Sequence, residues 1–342
     1  MIKIKFWKKS LAFEYPFTIS KGSKTHQSIF VVELEWRGIK AYGEAPAIAY
    51  YNITVDQMAE DLSAKIKFVE SFSFTEPKRF WHFLHHLFPK NPFLVCALDM
   101  AGWDLYSKIR NKPLSTIWNV NPLLSPITDY TIGIDEIDQM VAKVKAHPAP
   151  IYKVKVGNNA DVERLLAIRH HTDAKLRVDA NGGWKLEEAL AMLPILENMG
   201  IELIEQPFAK DALDDTKTFA VKTGIPIVAD ESCVGLSDVE KCSGIFDVIN
   251  IKLTKSSGIT PALDMIKKAR QYGLKIMLGT MNESTIGTAA LAHIAPMVDY
   301  LDADGPLLLK EDLATGISYE QFKLMPSDQP GLGIQVNADL FN

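Results

Sequence analysis

The sequence predicts an α/β fold: a (β/α)8-type barrel preceded by a smaller α+β module. Three observations carry this. From residue 130 onward, eight short apolar runs alternate with helix-like segments. Three of these runs end on a carboxylate, Asp179, Glu205 and Asp230, spaced by 26 and 25 residues. That spacing is about one strand plus one helix, so the three acids would stand side by side on the catalytic face of a barrel. Lysines hold positions of the same rhythm: Lys153 and Lys155 before the acids, Lys252 after them.

The elements follow in order. Residues 1–46 read as strands and turns. Phe30–Trp36 is a β-rich run ended by Arg37-Gly38, and Ala41–Glu44 begins its partner, giving a small antiparallel meander. Residues 54–118 are helical: Thr54-Val55-Asp56-Gln57 resembles a capping box, and Leu94–Ile109 carries apolar residues at helical spacing. The rhythm then changes. Tyr130–Gly133 reads as a strand and Glu136–His147 as a helix. Tyr152–Val156 is the next strand and Asp161–His171 the next helix. Further strands fall near 176–179, 201–205, 226–229, 247–252, 275–279 and 299–302. The segment after 310 breaks the rhythm and is expected to pack back on the first module. The division is therefore 1–122, 123–310 and 311–342.

Composition bounds the partners. A net charge of −5 over 342 residues argues against nucleic-acid binding, which needs a basic face. No apolar run approaches a membrane span, and Met1–Phe6 alternates like a strand rather than a signal peptide. Three cysteines, Cys96, Cys233 and Cys242, lack metal-type spacing and read as reduced thiols of a cytoplasmic protein.

Converging acids need a cation, and hard oxygen ligands in threes suit one Mg²⁺ per subunit. Lys153 and Lys155 are two apart, so they share a face of their strand. Inside the barrel, mutual repulsion and burial are expected to lower their pKa values toward those of a base. The alternative is a solvent-facing strand edge. Lys252 would lie across the mouth from Lys155, and two bases on opposite sides of one carbon suit racemisation, epimerisation or cycloisomerisation. Its alternative is an ordinary strand-end lysine. Asp179 followed by Asn181-Gly182-Gly183 also fits a helix cap and turn, and Glu205-Gln206-Pro207 a strand exit. Lys255 reads as a loop charge. Asn181 and Glu231 are candidates for orienting the ligands or lysines.

Five motifs, Lys153-Val154-Lys155, Val178–Asn181, Ile204–Pro207, Ala229–Ser232 and Asn250-Ile251-Lys252, make the chain resemble the enolase superfamily, muconate-lactonising subgroup, over its whole length. The resemblance implies a capping domain over a modified TIM barrel, (β/α)7β. It implies Mg²⁺ on Asp179, Glu205 and Asp230. It implies Lys155 and Lys252 as acid/base catalysts, with Lys153 supporting Lys155 and the substrate carboxylate. The shared half-reaction removes a proton α to a carboxylate, through an enediolate stabilised where its charge develops.

The seventh strand, Leu274–Thr280, has no histidine, which disfavours dehydration. The eighth reads Asp302-Ala303-Asp304. This pair resembles the dipeptide epimerase signature, in which two aspartates hold the substrate's amine. Its alternative is strand-end and turn chemistry at Asp304-Gly305-Pro306. A small-molecule dipeptide is thus the expected partner. Residues 18–25 correspond to a capping loop that contacts substrate. Lys21 and Lys24 stand there in place of an arginine, which favours Ala-Xaa dipeptides with small or apolar Xaa over strict Ala-Glu specificity. Met281 and Glu283, after the seventh strand, are further candidate substrate contacts. Residues 48–52 are expected to line the same pocket. An N-acylamino acid racemase, a cycloisomerase, an o-succinylbenzoate synthase and a catalytically retired barrel are the competing readings, and homo-oligomers are common in the family. His82, His85, His86, His170, His171 and Cys233 are expected to be helix-face, dipole or packing residues.

Overall fold

The computed structural model describes residues 1–157 and 160–341. Three antiparallel strands open the chain: β1 (Lys3–Ile19), β2 (Gly22–Trp36) and β3 (Ile39–Pro46). Arg37 and Gly38 both have positive φ, the geometry that matches a two-residue hairpin to strand twist. Three helices follow: α1 (Val55–Glu70), α2 (Pro77–Leu87) and α3 (Pro92–Ile109). Thr54 caps α1, its hydroxyl accepting from the Gln57 N–H at 3.1 Å. Helix α3 is apolar on nearly every side because it lies between the sheet and the barrel. Its backbone approaches β3 so closely that a Cβ on Gly43 would stand 2.0 Å from the Ala97 carbonyl oxygen.

After the short α4 (Leu114–Ile117), strands and helices alternate without a break. They run β4 (Tyr130–Ile132), α5 (Ile137–Ala146), β5 (Ile151–Lys155), α6 (Asp161–His171), β6 (Lys175–Asp179), α7 (Leu186–Asn198) and β7 (Ile201–Glu205). Then come α8 (Leu213–Ala220), β8 (Ile227–Ala229), α9 (Val239–Cys242), β9 (Val248–Ile251), α10 (Ile259–Gln271), β10 (Lys275–Gly279), α11 (Thr285–Ile294) and β11 (Tyr300–Asp302). Eight strands with seven intervening helices make the (β/α)7β arrangement, and the sheet runs parallel in sequence order. Each strand is buried on both faces, as parallel strands covered by helices must be.

The seam between β4 and β11 is closed largely by side chains. The Ala303 N–H donates to the Thr128 hydroxyl at 2.8 Å, and the Thr131 N–H donates to Asp304 Oδ2 at 2.6 Å. The last segment touches both parts of the molecule. The Leu332 N–H donates to Asp104 of α3 at 2.8 Å, and Phe322 O accepts from the Thr128 N–H at 2.7 Å. Among the described residues no helix is long and apolar enough to cross a membrane.

Candidate active site

Parallel pairing sets the site's floor plan. Lys155 is in register with Asp179, and Asp179 with Glu205. The next strand is tied on by the Gln206 N–H, which donates to Val228 O at 2.9 Å. Asp179, Glu205 and Asp230 therefore end three neighbouring strands. Lys155 and Lys252 lie four strands apart in an eight-stranded ring, on opposite sides of the mouth.

These five side chains and Lys153 are all buried, and they interlock. Lys153 Nζ is 2.6 Å from Asp302, 2.8 Å from Glu205 and 3.1 Å from Asp179. Lys155 Nζ is 2.6 Å from Asp179 Oδ2, and Lys252 Nζ is 2.8 Å from Asp230 Oδ2. At Lys153 this pairing overturns the expected lowering of its pKa. Burial pulls both Lys153 and Lys252 down. The Asp302, Glu205 and Asp179 charges more than reverse this at Lys153, and Asp230 does so at Lys252, so both end above the usual lysine value. Burial pushes Asp179 up, but the lysines around it hold it well below the usual carboxylate range. The same balance lowers Asp230, through Lys252 and Lys255. Glu205 goes the other way: burial and the Asp179 charge raise it.

Polar neighbours fix these groups. Asn250, two residues before Lys252, donates to Glu205 Oε1 at 2.8 Å. The buried Glu205 Oε2 lies near Lys153 but outside hydrogen-bond geometry. Gln206, at φ 38°, accepts from the backbone N–H groups of Asp230 and Ser232 at 3.0 and 3.1 Å. Asn181, at φ 46°, donates its N–H to Asp179 Oδ1 at 3.0 Å and its amide to Glu231 at 3.4 Å. Glu231 is raised to about 7 by burial and by its neighbours Asp230 and Asp179. Three buried hard-oxygen donors on adjacent strands, one with an unsatisfied oxygen, are a donor set that fits a divalent cation.

The expected substrate contacts differ among themselves. Asp302 pairs with Lys153, as above. Asp304 does not extend the strand but begins a 3-10 turn, and its Oδ2 closes the seam to Thr131. Its other oxygen is buried without a partner. Burial and the Asp302 charge raise its pKa to about 7. Asp129 joins them: carboxylate oxygens of Asp129, Asp302 and Asp304 lie within 4.8 Å of one another. Arg177 donates to Asp129 at 2.8 Å. Glu283 folds back on its own loop, accepting from the Thr280 hydroxyl and from the Met281 N–H at 2.8 Å, so its carboxylate is already engaged. Met281 is half-buried in that loop.

The capping module reaches the mouth through its first hairpin. Lys21 lies 4.1 Å over the Tyr50 ring and 3.8 Å from Glu231. Lys24 bonds Gln27 and faces the Phe13 and Phe17 rings at 5.3 and 5.4 Å. Phe17 also lies 5.9 Å from Lys155 Nζ, so its ring is near both lysines. Burial brings Lys24 down to about 8, with Glu283 opposing and the Lys155 and Lys252 charges assisting.

Sequence reasoning missed four residues. Asn250 and Arg177 were accessible in principle, because each stands two residues before a functional side chain on its strand. Asp129 carried no pattern. Lys255 is corrected outright: it is a buried side chain bonded to Asp230, not a loop charge.

The chain was compared with known proteins. The family model for the enolase C-terminal domain-like fold matches residues 135–340, and that for the mandelate racemase / muconate lactonizing enzyme N-terminal domain matches residues 1–118. An L-Ala-D/L-amino acid epimerase of Maribacter sp. is 45% identical over 92% of this chain and 94% of its own. The substrate-liganded L-Ala-D/L-Glu epimerase of Bacillus subtilis superposes with a TM-score of 0.92 at 29% identity, covering 99% of each chain. The dipeptide epimerase of Cytophaga hutchinsonii, complexed with Mg and D-Ala-L-Val, superposes at 0.91 and 29%, covering 98% of this chain and 96% of its own. With both domain models matched along its length and an epimerase relative at 45% identity, the chain belongs to the enolase superfamily, in its mandelate racemase / muconate lactonizing enzyme group.

Proposed function

We propose that this protein is a Mg²⁺-dependent dipeptide epimerase that inverts the α-carbon of the C-terminal residue by two-base proton transfer. The observation that carries the reading is the opposition of Lys155 and Lys252 across a mouth lined by Asp179, Glu205 and Asp230. Asp179, Glu205 and Asp230 would hold one Mg²⁺ per subunit. When bound, the ion supplies a Lewis acid for the substrate carboxylate. The family relation and the Mg-and-dipeptide complex of the Cytophaga relative support this assignment.

The rest of the reaction is assigned to side chains. One of the two lysines takes the α-proton from its face, and the other returns a proton from the opposite face. Lys153 stays charged, since three carboxylates surround it, and so stabilises the enediolate. Asp230 engaged with another cation would hold Lys252 less strongly, which lets that ammonium give up its proton. Asp302 and Asp304 would receive the substrate ammonium. The buried, unpartnered Asp304 Oδ1 supports this, as do three clustered acids whose ion pairs among the described residues are with Arg177 and Lys153.

For the side chain at the inverted centre, we favour small and apolar residues over glutamate. Lys24 faces two phenyl rings, and a lysine grips a carboxylate only as a point charge. Met281 and Lys21 would complete the pocket wall. The test is deuterium uptake in D₂O with Mg²⁺, using a pool of Ala-Xaa dipeptides and N-acyl amino acids read by mass spectrometry. Label at the α-carbon of dipeptides is expected. Label confined to N-acyl amino acids would overturn the reading, and Ala-Glu far ahead of Ala-Ala, Ala-Val and Ala-Met would overturn the side-chain preference.

A further inference from the structure

Lys255 sits three residues beyond Lys252, in the turn between β9 and α10. The turn is tight. The Ser256 N–H donates to Lys252 O at 3.1 Å and the Gly258 N–H to Leu253 O at 2.8 Å. Ser257 and Gly258 take φ of 68° and 132°. This bend folds the Lys255 side chain back under the end of its own strand. There its ammonium reaches Asp230 Oδ1, the Asp230 carbonyl at 2.7 Å and the Asn250 carbonyl at 3.0 Å. An ammonium has three protons, so all three are committed. The side chain is 1% exposed.

Lys252 contrasts with it. Its one hydrogen bond to a side chain among the described residues is to Asp230 Oδ2. Asp230 thus stands between a lysine tied at three points and a lysine tied at one. We infer that Lys255 is a positioning residue: it locks the Asp230 carboxylate and its backbone in place as a fixed counter-charge, so that Lys252 can release and regain a proton without Asp230 swinging or losing its partner. This rests on the proposed roles of Asp230 and Lys252.

Two physical consequences separate this from a merely structural ion pair. Loss of the Lys255 ammonium leaves Lys252 as the one side-chain cation on Asp230 among the described residues, so Asp230 holds Lys252 more strongly. The same loss also frees the carboxylate to rotate away from the ligand position. Groups that orient a metal ligand typically change affinity or activity about 10–100-fold when removed.

The experiment uses the full-length protein with Lys255→Met and Lys255→Gln. Two readouts are taken: Mg²⁺ affinity by calorimetric titration without substrate, and α-proton exchange in D₂O from each dipeptide epimer separately. Lys155→Met and Lys252→Met, run alongside, establish which lysine serves which epimer. If neither shows face-selective exchange, the two-base reading fails, independently of Lys255. With that reference in hand, both Lys255 variants should bind Mg²⁺ about 10–100-fold more weakly. Exchange from the Lys252-served epimer should fall at least about tenfold more than from the other, with Lys255→Gln, which keeps two donors, less affected. Unchanged Mg²⁺ affinity overturns the inference, and so does an equal loss from both epimers. If Lys255→Met does not fold, the same two criteria are read from Lys255→Gln.

Discussion

Asp99 offers a sharp test of how the capping module is docked. It lies on α3, fully buried, and accepts from the Thr260 N–H at 2.9 Å and the Thr260 hydroxyl at 2.7 Å. Helix α10 begins after Gly258, which has no side chain to cap it. Asp99 therefore meets orphan N–H groups of a barrel helix from the other side of the interface. Burial raises its pKa from 3.8 to about 7, against the pull of the Thr260 and Ile259 hydrogen bonds. Between those values the folded protein holds a proton that the unfolded chain has lost. Wild-type stability from this group is thus present at low pH and falls as pH rises through 7.

The perturbation is Asp99→Asn, which removes the charge and keeps an acceptor for the Thr260 N–H. A shift from 3.8 to about 7 corresponds to about 4 kcal/mol against the ionised form. One weakened hydrogen bond to the hydroxyl returns about 1 kcal/mol. The attraction of the α10 N-terminus for a carboxylate, also lost, returns up to about 2 kcal/mol. The variant should therefore be about 1–3 kcal/mol more stable than wild type at pH 8, and nearly equal to it at pH 5. Urea unfolding of both proteins from pH 5 to 8.5 reads this directly. A variant less stable than wild type at pH 8, or a gap that does not widen with pH, would refute the reasoning.

Three other perturbations have defined outcomes. The buried His293 accepts from the Ser115 N–H at Nδ1, so its proton sits on Nε2, facing Leu332 O; burial lowers its pKa from 6.5 to about 4. Stability should drop by about 3 kcal/mol as pH falls through that window, and NMR should show the Nε2–H tautomer, with titration above pH 6 counting against it. Gly43→Ala would drive a methyl group into the α3 backbone, 2.0 Å from Ala97 O and 2.7 Å from Ala101 N. It should cost more than about 3 kcal/mol, read as lost soluble yield or a collapsed melting temperature. Asp302→Asn should lower dipeptide turnover by about 10–100-fold while leaving Mg²⁺-dependent thermal stabilisation intact; loss of both would make its role structural.

The barrel was legible because its strands are short and buried on both faces, and six of the eight end on or just before a charged residue, so those six announce their own C-termini. The pairing of Lys153 with Lys155 followed from strand alternation and the spacing of Asp179, Glu205 and Asp230 from the βα repeat. What alternation cannot give is the partner across the barrel. Lys153 was expected to have its pKa lowered by Lys155 and by burial, yet Asp302 of β11 reaches it from two strands away. Lys255 was unreadable for a related reason. Its position depends on a backbone reversal at Ser257 and Gly258, and Asp99 packs against that bend so closely that a Cβ on Gly258 would lie 2.4 Å from Asp99 Oδ2. Local sequence carries the charge but not the turn that buries it.

The floor beneath the site explains why these charges must pair. Leu203, Val228, Val248 and Met277 form one buried apolar cluster with Tyr300 packed against it. Each stands two residues before an inward position on its strand: Glu205, Asp230, Asn250, Gly279 and Asp302 in turn. The acids therefore rest on a dry layer, where an unpaired charge is costly and a paired one is strongly held. Gly279 is the exception that completes the layer. A Cβ there would lie 2.4 Å from Asn250 Oδ1, so a bare backbone on β10 makes room for the amide that orients Glu205. A larger residue at 279 would displace Asn250 before it touched substrate. The seventh barrel strand thus contributes space rather than a charged side chain at this layer, which fits the proposed division of the chemistry between the lysines on β5 and after β9.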